Sequence, residues 1–74
     1  MEKVTIPGAV YVLEMEIPEI LGSGSNIREI TRTKNFDEVM QLYQQGRGNR
    51  ITRYCRVDGK LISKVWDELE GDFV

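Results

Sequence analysis

The sequence predicts a small α+β domain, a mostly antiparallel sheet of about four strands with one helix packed on one face. Three observations carry this: a period-two apolar segment near the N-terminus, one well-capped helical stretch in the middle, and an Asp-Gly dipeptide between two strand-like runs. Along the chain the elements read β-β-α-β-β, and 1–74 forms a single domain with no internal repeat.

In the first strand, about 9–17, Tyr11, Leu13, Met15 and Ile17 alternate with Val10, Val12, Glu14 and Glu16, the pattern of a strand with one buried face. Pro7-Gly8 blocks its extension backwards, and Pro18 closes it because proline lacks a ladder donor. Gly22-Ser23-Gly24-Ser25-Asn26 then reads as a flexible connector. Ile27 to Thr33 is rich in β-branched residues alternating with Arg and Glu, which suits an edge-like second strand. A helix over Asn26 to Lys34 is the competing reading, since Ile27 and Ile30 are three apart, but Thr31 and Thr33 disfavour it.

The helix is expected over about 36–45. Asn35 is placed to accept backbone hydrogen bonds as N-cap, with Glu38 three residues on, and Asp37 and Glu38 complement the positive end of the helix dipole. Phe36, Val39, Met40 and Tyr43 make the apolar stripe, and Gly46 supplies the left-handed residue that commonly ends a helix. Arg50 to Val57 and Lys60 to Asp67 flank Asp58-Gly59, the dipeptide preferred in type I′ hairpin turns because both central residues need positive φ. That register sets Val57 opposite Lys60, Cys55 opposite Ile62, Arg53 opposite Lys64 and Ile51 opposite Trp66 on the predicted core face. Arg56 with Leu61, Tyr54 with Ser63, Thr52 with Val65 and Arg50 with Asp67 fall on the other. Arg53 and Lys64 then meet as like charges inside the core face, a clash that a one-residue slip would relieve.

Composition narrows the function classes. The chain is 41% hydrophobic and 30% charged, a globular balance, yet at 74 residues it buries only about 60% of its unfolded surface. Partner docking or homo-oligomerisation is a natural source of further buried area. A lone Cys55 suits a reducing compartment, here taken as the cytoplasm. The longest apolar run, Ala9 to Leu13, has five residues, too few for a membrane span or a signal-peptide core. Net charge is −2, but it is segregated: residues 26–64 hold nine Lys or Arg against four acids, while both flanking stretches are acidic.

The absence of His removes the commonest general base and metal ligand, and no set of residues fills the roles of nucleophile, base and oxyanion donor. We therefore expect no enzyme, no cofactor and no metal. Glu14/Glu16 and Glu68/Glu70 are carboxylate pairs on a solvated strand face and in a tail. Cys55 beside Arg53 and Arg56 has the setting of an activated thiol, but a small buried strand residue packed on Ile62 is the simpler reading. Gly22-Ser23-Gly24-Ser25 lacks the lysine of a phosphate-binding loop and reads as a linker.

Two surfaces stand out. Residues 67–74 read as an acidic-aromatic C-terminal tail, with Trp66, Asp67, Glu68, Leu69, Glu70 and Phe73 as candidate partner-binding residues and the two aromatics as anchors. On this reading, removal of Leu69 to Val74 leaves the fold intact. The sequence thus points to a non-enzymatic protein-protein interaction module, a small regulator, inhibitor or assembly factor of the kind carried by phages and mobile elements. A nucleic-acid-binding regulator is the first alternative, using Arg28, Arg32, Arg50, Tyr54 and Arg56 on a basic sheet surface. A self-associating structural subunit, pairing through strand edges or its dipolar charge pattern, is the second.

Overall fold

A computed structural model describes residues 5–18 and 25–74. It contains β1 (Val10–Pro18), β2 (Ser25–Thr33), α1 (Phe36–Gln44), β3 (Arg50–Val57), β4 (Lys60–Asp67) and β5 (Asp72–Phe73). The strands form one sheet in the order β2-β1-β3-β4-β5, every neighbouring pair antiparallel. Gly22-Ser23-Gly24, the core of the expected connector, lies outside the described residues.

The sheet has five strands where the sequence reading expected four. The added strand is the expected tail: Asp72-Phe73 folds back on Trp66-Asp67, and Val65 and Val74 exchange backbone hydrogen bonds of 3.2 and 2.9 Å. The turn between β4 and β5 is built by Asp67, whose Oδ1 accepts from the N–H groups of Leu69 and Glu70 at 2.8 and 3.1 Å. Gly71 closes it at φ +66°, a conformation that glycine adopts without a Cβ penalty. A two-residue strand has no periodicity to read, so its acids made it resemble a solvated tail.

The helix matches its sequence signals. Asn35 Oδ1 accepts from the N–H groups of Asp37 and Glu38, and the C-terminus closes through Gly46 N–H to Tyr43 C=O and Arg47 N–H to Leu42 C=O. The α1 stripe packs on β1 and β2 and also reaches β3. Between helix and sheet lie Ala9, Tyr11, Leu13, Val39, Ile51, Cys55 and Phe73, with Phe36, Met40, Tyr43 and Trp66 packed around them. Ring centroids of Tyr11 and Phe36 are 5.5 Å apart and those of Trp66 and Phe73 5.3 Å, in edge-to-face arrangements favourable for aromatic pairs.

The β3–β4 hairpin turns at Asp58 (φ +52°) and Gly59 (φ +77°) and keeps the expected register from Val57/Lys60 to Thr52/Val65. The Arg53/Lys64 pairing persists without a slip. Arg53 is 1% exposed and lays its guanidinium 4.8 Å from the centroid of the Phe73 ring, so the residue expected in the tail is a cation–π partner of this buried charge.

β1 and β2 differ in count by one residue. Leu13 pairs with Thr31 but Glu14 with Glu29, which leaves Ile30 as a bulge. On its other side β1 runs beside β3, and Asn49 prolongs that ladder: its N–H donates to Glu14 C=O, and its side-chain amide exchanges hydrogen bonds of 2.7 and 2.9 Å with the Glu16 backbone.

Candidate functional site

Because α1 covers one face of the sheet, alternation along each strand sends a second set of residues to the bare face. From β1 these are Val10, Val12 and Glu14, and from β3, in register beside them, Tyr54, Thr52 and Arg50; this face lacks a helix, yet Val12 and Thr52 at its centre are buried, at 1% and 4% exposure. Arg56 continues β3, with Leu61 opposite it on β4, and Arg32 of β2 stands opposite Val12. The bare face divides by charge along the strands.

At the end nearer the Asp58-Gly59 turn lies a groove of about 570 Å³ lined by Pro7-Gly8, Arg32, Val10, Tyr54, Arg56 and Leu61, the last five coming from β2, β1, β3, β3 and β4 in order across the sheet. This falls within the size range of ligand-binding clefts. Leu61 is 64% exposed, an apolar side chain that the fold leaves uncovered. Arg56 Nη1 makes a long 3.5 Å hydrogen bond to Gly59 C=O. Arg32 pairs with Glu29 at 2.8 Å, both half or more exposed, and an exposed pair of this kind is worth only about 0–1 kcal/mol and is readily exchanged.

At the opposite end Arg50 is taken up by acids, with Nε 3.4 Å from Glu14 and Nη1 3.7 Å from Glu16. Thr52 donates its hydroxyl to the same Glu14 carboxylate at 2.6 Å. The Glu14/Glu16 pair is therefore an electrostatic partner for Arg50 rather than a solvated pair.

Of the candidate nucleic-acid contacts, the fold brings Arg32, Tyr54 and Arg56 into one groove and places Arg50 on the same face but in its own ion pairs. It separates Arg28, which stands opposite Met15 on β2, at a register position belonging to the other face. Of the candidate partner-binding residues, Phe73 is 1% exposed and so is no surface anchor, while Trp66 packs against the core only in part and lines a second groove with Arg50 and Glu16. Asp67 is occupied in capping its turn. Glu68, Leu69 and Glu70 project from that turn, Leu69 at 98% exposure. Burial, and then a hydrogen bond with Glu68, hold the Tyr43 phenol above its usual pKa, which ties the turn to the helix. Cys55 is buried opposite Ile62 on the core side.

Sequence reasoning missed Val10 and Leu61 as groove residues. The hairpin register places Leu61 beside Arg56, and that signal was available. Val10 reaches Tyr54 through the β1–β3 pairing, which joins residues 44 positions apart and leaves no local trace.

The groove can hold anionic groups at two points with an apolar or aromatic group between them. Among its described lining residues there is no carboxylate or imidazole to move a proton near neutral pH. No protein-family model, no curated protein and no solved structure matches the chain.

Proposed function

We propose that this chain is a non-enzymatic protein-binding module that docks through the bare face of its sheet. The observation that carries the reading is the groove between Arg32 and Arg56. It combines the uncovered Leu61 side chain with an aromatic ring and two guanidiniums, the last two being residue types that dominate binding energy at protein interfaces. Phe73, spent on the core, drops out of the mechanism, and Glu68, Leu69 and Glu70 remain as a separate exposed projection.

A second reading has one observation in its favour: Tyr54 lies between two arginines, the layout of a stacking ring flanked by phosphate contacts on single-stranded nucleic acid. Net charge −2 and the acidic end of the same face weigh against a long polyanion.

One experiment separates the two. A photo-cross-linking residue is placed at position 61 in the groove and, as control, at Gln41, exposed on the helix. A protein adduct formed from position 61 and not from position 41 is the expected result. A nucleic-acid adduct from position 61, lost steeply as salt rises, would transfer the function to the second reading. Absence of any adduct there removes both.

A further inference from the structure

We infer that the partner received by the groove is a second copy of this chain, which inserts its Glu68-Leu69-Glu70 turn. The inference rests on the sheet-face reading above and names the occupant of that same groove. Its basis is a match between two features of one surface. The groove combines the apolar Val10 and Leu61 with the basic Arg32 and Arg56, which run Arg32, Val10, Arg56, Leu61 across the sheet. The turn is its complement: one leucine, 98% exposed, followed by the exposed Glu70 carboxylate, while Glu68 stays with Tyr43. Nothing in the fold of a single chain requires Leu69, since Asp67 builds the turn from its own side chain and the backbone N–H groups of Leu69 and Glu70.

The two features cannot meet within one molecule. The groove sits at the Lys60 end of β4 and the turn follows its Asp67 end, so they are separated by most of the strand length, roughly 20 Å. Insertion therefore runs from one copy to the next. A one-way contact of this kind is heterologous, leaving one free turn and one free groove on every dimer, whereas reciprocal insertion closes as a two-fold dimer. Arg32 exchanges its exposed Glu29 partner for an incoming carboxylate, and Arg56 gives up its long contact with Gly59. A three-residue projection buries far less than the roughly 800 Å² per partner of a standard interface, so association is weak and appears in concentrated solution.

The test uses the full chain in sedimentation equilibrium over a concentration series up to about 1 mM, with Leu69→Asp as the turn variant and Arg56→Glu as the groove variant. Both residues are exposed, so both variants are expected to keep the circular dichroism of the parent. Wild type is expected to grow in average mass with concentration, and each variant to associate about tenfold or more weakly. The deciding sample is the equimolar mixture. Leu69→Asp retains an intact groove and Arg56→Glu an intact turn, so the mixture forms a dimer that grows no further. A mixture that stays monomeric, a Leu69→Asp chain that associates like wild type, or a wild type monomeric throughout would each overturn self-insertion. If wild type is monomeric while position 61 still cross-links to a different protein, self-insertion fails and the sheet-face reading survives. If neither occurs, both fail.

Discussion

Gly48 shows how one residue holds the two halves of the chain together. It is buried at the entry to β3, and a Cβ there would lie 2.7 Å from Leu13 Cγ and 2.8 Å from the Glu14 carbonyl oxygen. The leucine tip has some freedom, but the carbonyl is fixed, because it accepts the Asn49 N–H that starts the β1–β3 pairing. Gly48→Ala is therefore expected to destabilise by about 1–3 kcal/mol through overpacking, read as a lower urea midpoint with unchanged slope. Between Arg47 and Asn49, Gly48 has the local look of an ordinary turn residue. Its requirement comes from a strand more than thirty residues away, which no local pattern encodes. Arg53 teaches the converse: its like-charge pairing with Lys64 was legible from the Asp58-Gly59 register, but its accommodation by Phe73 depends on a strand that the sequence did not announce.

Among the elements, those fixed by local chemistry were readable and those fixed by distant pairing were not. The helix declared itself through Asn35, its apolar stripe and Gly46. The hairpin did so through two consecutive positive-φ positions at Asp58 and Gly59. Gly59→Val forces a β-branched side chain into the left-handed region and is expected to cost about 1–2 kcal/mol. The hairpin carries Arg56 and Leu61 on the two strands beside that turn, so the same variant is expected to weaken whatever the groove binds. A urea titration and the position-61 cross-linking yield, measured on one preparation, check both effects. By contrast, the placement of β1 between β2 and β3, which creates the groove by setting Val10 beside Tyr54, followed from none of these signals. The groove's arginines were visible as a basic stretch, but which of them share a face was decided by the fold: Arg32 and Arg56 converge, Arg50 is neutralised and Arg28 faces away.

At the scale of the whole molecule, residues 67–74 serve separate ends that their composition merges into one tail. Phe73 contacts Tyr11, Phe36, Trp66 and Arg53, and so joins β1, α1, β4 and β3. Leu69, four residues earlier, touches solvent on nearly all its surface. The two roles predict opposite outcomes for neighbouring changes. Phe73→Ala opens a cavity beneath three other rings and a buried guanidinium, at a cost of about 3–5 kcal/mol. That is a large share of the total of about 5 kcal/mol or less that a single core supplies in a chain this short. The expected result is loss of the cooperative thermal transition and of near-ultraviolet circular dichroism, and truncation after Glu70 should do the same. Leu69→Asp should shift the melting temperature hardly at all, since substitutions at such exposed sites usually fall within about 0.5 kcal/mol. A chain ending at Glu70 that still melts cooperatively near the wild-type temperature would show that the aromatic cluster does not depend on β5. The fold would then rest on the β3–β4 hairpin and α1, and the C-terminal residues would return to the solvated tail that their composition suggests.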